Sequence, residues 1–288
     1  MNLSTMLRYG KEKLQKSSIT DAAVDAMELL QFACGIDRNY YYMHMDEEIP
    51  KEKQVQYETL LEQRALHIPL QQITGKAYFM GLEFFVNEHV LIPRFDTEVL
   101  VEETIKCIQK RSCTSENDKM KVLDMCTGSG CIILSLKDMF PNIEATGVDL
   151  SEKALLVAQK NSTLLDLPVT FLKSDLFSHI TGKYDIIVSN PPYIPTEVIE
   201  TLDLEVKEHE PMMALDGTKD GLHFYREISR LAMDHLEDGG YLCYEIGHDQ
   251  GMAVSEILKN LGYREVNIVK DLSGHDRVVL GGKPCLTN

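Results

Sequence analysis

The sequence predicts an α/β fold in which a small helical domain precedes a mostly parallel sheet. Apolar residues recur at helical spacing up to about residue 74, and beyond residue 120 short apolar runs alternate with helix-like segments. Two further apolar runs near the end of the chain lie close together, which favours an antiparallel pair at the sheet edge. The 288 residues, 44% hydrophobic and 26% charged, suit about two globular domains.

Residues 1–74 are predicted to form the helical domain. One helix ends at Gly35, a residue suited to a helix C-terminus, after an apolar face made by Val24, Met27, Leu30 and Cys34. A second helix begins near Pro50 and ends before Pro69, with an apolar face made by Tyr57, Leu60, Leu61 and Ala65. The Tyr and Met residues of this region are interpreted as core.

A hairpin is predicted between the two domains. Aromatic residues flank Gly81 between Lys76 and Val86, a composition typical of two short strands. Residues 75–95 are therefore predicted to be a linker, and residues 96–288 the second domain. Within that domain, the polar run from Arg111 to Lys119 predicts a surface loop.

Short apolar runs in the second domain predict parallel strands, because segments long enough for crossover helices separate them. These runs are Lys121–Met125, Glu144–Asp149, Val169–Lys173, Tyr184–Ser189 and Tyr241–Ile246. The runs Tyr263–Val269 and Asp276–Leu280 flank the turn-rich segment DLSGH and predict the antiparallel edge pair.

The charge balance disfavours a nucleic-acid partner. The chain has 29 Lys and Arg against 45 Asp and Glu, a net charge of −16, which is the wrong sign for neutralising phosphates. An acidic field of this size suits a basic protein partner or a cationic small molecule, although an acidic surface that serves only solubility is the commoner explanation.

The cysteines and histidines predict neither a disulfide framework nor a metal site. Seven cysteines form no C-x-x-C pair, and the nine histidines show no metal-ligand spacing. The sequence also has no run of about 18 apolar residues, and its first residues are too polar for a signal peptide. A cytoplasmic location is the resulting expectation.

The first constellation that carries chemistry is a glycine-containing turn after the predicted strand Val122–Met125. Its residues are Cys126, Thr127, Gly128, Ser129 and Gly130. Glycine lets a ligand approach the backbone, and Asp149, nineteen residues after Gly130, ends the next strand, where a carboxylate can hold both ribose hydroxyls. The pattern favours a nucleoside cofactor over a turn without a ligand. A nicotinamide or flavin dinucleotide is disfavoured, because Ile133 occupies the position of the third glycine in the dinucleotide-binding motif.

The second constellation is Asn190-Pro191-Pro192-Tyr193, which follows the predicted strand Tyr184–Ser189. Consecutive prolines stiffen the chain and remove backbone donors, so carbonyl oxygens remain to accept hydrogen bonds. Asn190 adds a side-chain carbonyl and Tyr193 a flat aromatic wall. This combination suits a planar nitrogen group, such as an amide or the exocyclic amine of a base. The alternative is a rigid loop without function.

Together these motifs resemble those of S-adenosylmethionine-dependent methyltransferases that act on nitrogen, which implies their Rossmann-like sheet. Further segments follow, in order and spacing, the pattern of the HemK/PrmC family. They are Pro69–Gly75, Val90–Arg94, Thr97–Glu98, Ser174–Phe177, Glu205–Pro211, Ala214–Gly217, Asp220–Leu222 and Asp276–Val279. The resemblance covers residues 65 to 282, and the N-terminal helices match only in general character.

The resemblance implies methylation of the glutamine in the Gly-Gly-Gln motif of peptide chain release factors, without a metal. It implies that Thr127–Gly130, with Cys126 before them, surround the methionine end of S-adenosylmethionine. Asp149 would hold the ribose, and Asp175 and Leu176 would lie near the adenine. The substrate-binding and catalytic residues would be Asn190, Pro191, Pro192 and Tyr193, with Asn190 also beside the cofactor.

Cys126 departs from the family pattern, which usually has glycine there. If that position requires positive φ, the side chain would narrow the cofactor loop. The thiol is interpreted as a small packed side chain rather than a nucleophile, because no base or cation is evident beside it.

Two other functions stay open at this point. An adenine N6-methyltransferase would use the same Asn-Pro-Pro-Tyr loop, but the acidic balance and the lack of a target-recognition domain disfavour it. The other possible function is that of a binding module, which retains the fold without catalysis. The preferred function requires a release factor as partner, with the helical domain as the natural recognition surface, and a monomer is expected.

Several charged residues allow two interpretations. Glu205, Glu208, His209 and Glu210 are interpreted as a solvated stretch in preference to a substrate channel or lid. Arg94 and Glu98 either reach the cofactor or pair with each other. Glu245 is interpreted as a residue that can be buried and paired without any chemistry.

Overall fold

The computed structural model describes residues 1–112 and 119–285. The chain divides into two compact units. Unit 1 consists of Met1–Lys76 and Asp203–His209, and unit 2 of the remaining described residues. Most of the polar run predicted as a surface loop, together with Cys113, lies outside the described residues.

The helices and strands follow the predicted succession. The helices of the described chain are α1 (Leu3–Lys16), α2 (Ala22–Cys34), α3 (Arg38–Met43), α4 (Lys51–Ala65), α5 (Leu70–Thr74), α6 (Asp96–Ser112), α7 (Cys131–Met139), α8 (Glu152–Leu164), α9 (Thr196–Ile199), α10 (Leu204–His209), α11 (Met212–Leu215), α12 (His223–His235) and α13 (Gly251–Asn260). The strands are β1 (Lys76–Phe79), β2 (Leu82–Phe85), β3 (Lys121–Met125), β4 (Glu144–Asp149), β5 (Thr170–Lys173), β6 (Tyr184–Ser189), β7 (Leu236–Glu245), β8 (Arg264–Lys270) and β9 (Asp276–Gly282).

Unit 1 is a helical bundle with its own apolar core. Gly35 ends α2 in the left-handed conformation, at φ 69°, as its position predicts. Tyr57 and Leu61 of α4 are fully buried in this core. The interpretation of all Tyr and Met residues as core is wrong for five that are exposed, namely Met1, Tyr9, Tyr42, Met43 and Met45. Tyr42 and Met43 lie on α3, a six-residue helix that buries only Tyr41.

The predicted hairpin is present as the two-stranded sheet of β1 and β2. Its turn residues Met80 and Gly81 both have positive φ, 49° and 79°, the pattern of the tight turn that matches strand twist. Asn161 of α8 fastens the hairpin: it accepts from the Phe85 N–H at 2.7 Å and donates to the Phe85 carbonyl at 3.0 Å. Whether this hairpin acts as a linker stays a prediction.

Unit 2 contains a seven-stranded sheet with the order β5-β4-β3-β6-β7-β9-β8. The first five strands pair in parallel, whereas β9 is antiparallel to both β7 and β8. The antiparallel edge pair predicted from the sequence is therefore confirmed. Buried side chains from both faces of the sheet form two apolar clusters against the flanking helices.

Strand β7 begins earlier than the sequence indicates. It starts at Leu236 and runs through Gly239 and Gly240, residues of low strand propensity. Pairing of Leu236 with Tyr184 of β6, across a register shift, extends the strand. Tertiary pairing thus overrides local propensity here. Within residues 1–112 and 119–285, no helix has the length and apolarity needed to cross a membrane.

Candidate active site

The strand order places a crevice at the carboxyl edge of the sheet in unit 2. β3 and β6 are neighbours in the sheet. The chain passes from β3 to β4 on one side and from β6 to β7 on the other, and ligands of open α/β sheets bind where connections diverge in this way. A cavity of about 280 Å³ lies there. Its walls include residues that follow β3, β4, β5 and β6.

The turn after β3 owes its shape to three positive φ angles. They occur at Cys126 (63°), Gly128 (54°) and Gly130 (79°). A side chain on Gly128 would meet no atom within 4 Å, so open space faces this backbone. Gly130 is the N-cap of α7, and a side chain on it would press on Ala158 at 3.2 Å. The loop therefore exposes backbone to the cavity at Gly128 and packs against α8 at Gly130.

Cys126 has a positive φ, in the left-handed region that favours glycine. A side chain at this position is therefore expected to narrow the loop. Its side chain lines the cavity and packs against one of the two apolar clusters of unit 2, the one that contains Met125 and Tyr244. Burial raises the pKa of its thiol, and the carboxylates of Asp149 and Asp124 add to the rise. A thiol held in its neutral form is a poor nucleophile, which supports its interpretation as a packed side chain.

Asp149 lies at the end of β4 and lines the cavity. One carboxylate oxygen accepts from the Gly128 N–H at 2.9 Å, and the other from the Ser151 N–H at 2.8 Å. Burial raises the pKa of Asp149, while these backbone hydrogen bonds oppose the rise. The carboxylate is thus fixed toward the glycine turn, and each oxygen retains a lone pair for a hydroxyl donor.

Asp124 braces the same turn from inside the core. It is fully buried and accepts a hydrogen bond of 2.6 Å from the Thr127 hydroxyl. Burial raises the pKa of Asp124 to about 7. Asp175 and Leu176 follow β5 and line the cavity; Leu176 has a φ of 45° and its carbonyl accepts from the Ser174 hydroxyl at 2.6 Å.

The Asn-Pro-Pro-Tyr loop follows β6, and its first and third residues, Asn190 and Pro192, line the cavity. The Asn190 amide nitrogen lies 3.4 Å from the Thr97 hydroxyl, to which it donates. Its carbonyl oxygen consequently points away from Thr97 and can accept a further hydrogen bond. Pro191 is buried. Tyr193 is half-buried against the apolar cluster, and its hydroxyl donates to Glu245.

The cavity thus brings together most of the residues that the sequence singles out. Those that line it are Cys126, Thr127, Gly128, Ser129, Asp149, Asp175, Leu176, Asn190 and Pro192. Gly130, Pro191 and Tyr193 lie beside it, as a helix cap, a buried loop residue and a loop anchor, and are not among its lining residues.

Other lining residues escape sequence reasoning. Thr97 at the start of α6 holds Asn190, and the cavity wall also includes Lys153, Pro211, Met213, Ala214 and Phe224. The segments around Thr97 and Pro211 belong to the family pattern, but nothing in their residue types indicates a cavity.

The structure shows the surroundings of two charged residues, Arg94 and Glu210. Arg94 lines the cavity and pairs with Glu210 at 2.7 Å rather than with Glu98, which accepts from the Met80 N–H. Glu210 is only 6% exposed, so its interpretation as part of a solvated stretch is wrong. Burial of Glu210 is tolerated because Arg94 and the Ile92 N–H both donate to it.

Comparison with known proteins identifies the class of this fold. Residues 105–204 match the methyltransferase small domain family. The catalytic domain of hMettl16 superposes with a TM-score of 0.55 at 15% identity, over 80% of this chain and 82% of that one. A methyltransferase from Pyrococcus furiosus superposes with a TM-score of 0.50 at 18% identity, over 71% of this chain and 90% of that one. These superpositions show the fold, which is that of the class I methyltransferases, and its cavity lies at the switch point of the sheet.

Relatives across nearly the whole chain give the particular family. Residues 5–75 match the PrmC N-terminal domain. The release factor glutamine methyltransferase of Caulobacter vibrioides is 40% identical over 95% of this chain and 93% of its own length. That of Fusobacterium nucleatum is 40% identical over 94% of this chain and 76% of its own length. The chain belongs to the release factor glutamine methyltransferase family, as its motifs predict.

Proposed function

We propose that this protein transfers a methyl group from S-adenosylmethionine to the side-chain amide nitrogen, N5, of the glutamine in the Gly-Gly-Gln motif of class 1 peptide chain release factors. The observation that carries the proposal is a single cavity, bordered both by the glycine turn after β3 and by Asn190 and Pro192 after β6. Membership of the family supports the choice of a protein amide as substrate.

The glycine turn and its neighbours would hold the cofactor. Cys126, Thr127, Gly128 and Ser129 would border its methionine end, with Gly130 shaping the turn. Asp149 would accept hydrogen bonds from the ribose, and Asp175 and Leu176 would flank the adenine. The open space in front of Gly128 and the fixed Asp149 carboxylate fit such a ligand. When bound, S-adenosylmethionine supplies an electrophilic methyl group on a sulfonium sulfur.

The Asn-Pro-Pro-Tyr loop would orient the substrate amide. An amide nitrogen is a poor nucleophile because its lone pair is delocalised. The Asn190 side-chain oxygen and the Pro191 carbonyl would each accept one N–H of the glutamine, which fixes the nitrogen toward the cofactor and favours the positive charge that develops on it. Pro192 stiffens the loop and Tyr193 anchors it. No general base is required, since the proton can leave to water afterwards.

The partner, location and assembly state of the enzyme are part of the proposal. A lone glutamine side chain offers little surface for selectivity, so contacts with the rest of the release factor must supply it. The helical unit and the net charge of −16 suit recognition of a protein rather than a nucleic acid. We infer a monomer that acts in the cytoplasm and needs no metal.

Transfer of labelled methyl from S-adenosylmethionine to purified class 1 release factor tests the proposal. Parallel reactions contain the same factor with its Gly-Gly-Gln glutamine replaced, adenine-containing DNA, and the native factor with a chelator. Label on the intact factor alone, unaffected by the chelator, is the expected result.

The other outcomes distinguish the remaining functions. Label on DNA would indicate an adenine methyltransferase, and label on the glutamine-replaced factor would indicate another site. Bound cofactor with no label on any substrate would indicate a binding module that has lost the reaction.

A further inference from the structure

Tyr193 is held at three of its atoms by residues outside the Asn-Pro-Pro-Tyr loop. Its hydroxyl donates to Glu245 Oε1 at 3.3 Å, at the end of β7. Its carbonyl accepts from the Gln250 side chain at 3.0 Å. A side chain on Gly217 would lie 2.7 Å from the Tyr193 Cα, so that segment packs directly on the tyrosine backbone. The loop that begins at Asn190 is therefore anchored at its far end.

Glu245 stands out among these anchors. It is 2% exposed, and among the described residues its Oε2 has no hydrogen-bond partner. The charged and titratable groups that interact with it include Arg277, Asp96, Tyr193, Tyr225 and Cys131. Burial raises the pKa of Glu245 to about 7, while Thr97, Arg277 and Tyr193 oppose the rise. A buried carboxyl with so few partners costs stability, and an apolar residue would serve the core better.

The position of Glu245 explains why such a costly group is present. Its carboxyl accepts a hydrogen bond from Tyr193, at the end of the Asn-Pro-Pro-Tyr loop. It also interacts with Thr97 of α6, whose hydroxyl accepts from the Asn190 amide at the start of that loop. Its own backbone carbonyl is fixed by the Tyr225 hydroxyl at 2.9 Å. A rigid strand end thus supports the two side chains that keep the loop in place.

We propose that Glu245 is a positioning residue for methyl transfer, which acts through the Tyr193 hydroxyl to hold the loop that carries Asn190. The inference rests on the proposed function, because it concerns the same substrate loop. Glu245 need not touch the substrate or the cofactor. Its contribution is an acceptor at a fixed point, so that Asn190 and the Pro191 carbonyl meet the glutamine amide without reorganisation.

A double-mutant cycle between the two residues tests the proposal. Glu245→Leu and Tyr193→Phe are each expected to lower kcat for release factor methylation by about tenfold or more, with the Kd for S-adenosylmethionine within about twofold of the native value. Because Tyr193→Phe removes a hydrogen bond that Glu245→Leu also removes, the double variant is expected to lose no more kcat than Glu245→Leu alone. Glu245→Gln retains an acceptor oxygen and is expected to keep kcat within about threefold.

Tyr244→Phe is the matched control. Tyr244 is the preceding residue of β7, is fully buried and shares a hydrogen bond of 2.9 Å with Ser229. Its variant is expected to lose stability, measured as Tm, while keeping kcat. A fall in kcat for Glu245→Leu together with rescue by Glu245→Gln would thus be separated from a general loss of stability.

Several results would overturn the positioning role. They are independent, multiplicative losses in the double variant, an equal loss for Gln and Leu at 245, or an unchanged kcat in Tyr193→Phe. The last holds even where Glu245→Leu does not fold. If the native protein methylates no release factor, the proposed function itself fails; additive losses in an active enzyme remove only the role of Glu245.

Discussion

Asn190 has a contact that orients it in the fold and a proposed role in the reaction. Its amide nitrogen faces the buried hydroxyl of Thr97, and this contact decides the direction of its carbonyl oxygen. That oxygen is the proposed acceptor for the substrate amide. A preorganised dipole of this kind mainly stabilises the charge that develops in the transition state.

Asn190→Ala is therefore expected to lower kcat by about 100-fold or more, while changing cofactor affinity less. Methyl transfer to release factor and calorimetric titration with S-adenosylmethionine measure the two effects. The exposed Asn142 offers a control, since Asn142→Ala removes the same group away from the site. An equal loss of kcat and affinity, or no loss of kcat, would remove Asn190 from its role.

Substitution of Asp149 is expected to change cofactor affinity, because Asp149 is proposed to bind the cofactor and not the substrate. Asp149→Ala is expected to weaken S-adenosylmethionine binding by about 1 to 3 kcal/mol, the cost of losing hydrogen bonds to a buried partner. Part of that loss is expected because the Gly128 N–H, which donates to the Asp149 carboxylate, would lose its acceptor. Calorimetry is the measurement, with Asp149→Asn as the variant that retains an acceptor. Unchanged affinity in Asp149→Ala would exclude the residue from the site.

Cys126 tests how much a strained residue costs the cofactor loop. A non-glycine residue at φ 63° is strained, and its side chain occupies part of the cavity wall. Cys126→Gly is expected to bind S-adenosylmethionine at least as tightly as the native protein. Cys126→Ala retains the strain but removes the thiol, so comparison of the two Kd values separates backbone from side chain. Weaker binding by Cys126→Gly would show that the thiol packing supports the loop.

At the scale of elements, unit 1 contains a segment that is distant in sequence. Arg64 of α4 is 4% exposed and donates to Asp25 of α2 at 2.6 Å and to Glu205 of α10. Gln72 and His209 add two hydrogen bonds between α10 and the chain around α5, at 2.8 and 3.0 Å. An ion pair between the buried Arg64 and the partly exposed Glu205, together with hydrogen bonds to backbone carbonyls, thus joins α10 to helices more than a hundred residues earlier.

Arg64→Met is expected to destabilise unit 1 by about 3 to 5 kcal/mol, because it leaves Asp25 buried without its partner. Faster amide hydrogen exchange over residues 203–209 would report the release of α10. The matched control is Glu62→Gln, which removes the exposed pair with Lys13 at 3.5 Å and is expected to cost little. Unchanged exchange in Arg64→Met would contradict the ion pair as the element that retains α10.

For the molecule as a whole, two buried carboxyls make stability depend on pH. Burial raises the pKa of both Asp124 and Glu245 to about 7, whereas in the unfolded chain carboxyls titrate near 4. Between about pH 4 and pH 7, these two carboxyls thus stay protonated in the folded protein but are ionised in the unfolded chain. The stability contributed by these groups is complete below about pH 4 and is lost as pH rises through about 7.

Asp124→Asn removes one of these protons and retains an acceptor for Thr127. The difference in free energy of unfolding between variant and native protein is expected to move in favour of the variant by about 1 to 3 kcal/mol from pH 5 to pH 8. Denaturant unfolding at the two pH values measures it, with the exposed Asp138→Asn as control. A difference that does not change with pH would mean that Asp124 titrates as in the unfolded chain.

Much of this molecule could be predicted from local patterns. Strands β3, β4 and β6 begin and end where the apolar runs do, because buried parallel strands require continuous apolar residues. Gly128, Asp149 and Asn190 were identifiable because strand ends, glycines and prolines have direct local consequences. Family resemblance then supplied the substrate class.

The remaining features depend on residues that are distant in sequence. Nothing local indicates that Thr97 holds Asn190, that Arg94 pairs with Glu210, or that Glu245 lies behind Tyr193. By itself the sequence determined the order of elements, the α/β class and the motifs of a methyltransferase. Only the tertiary structure decided which charges are buried and which side chains support the Asn-Pro-Pro-Tyr loop, because burial and hydrogen-bond partners arise when separate segments pack together.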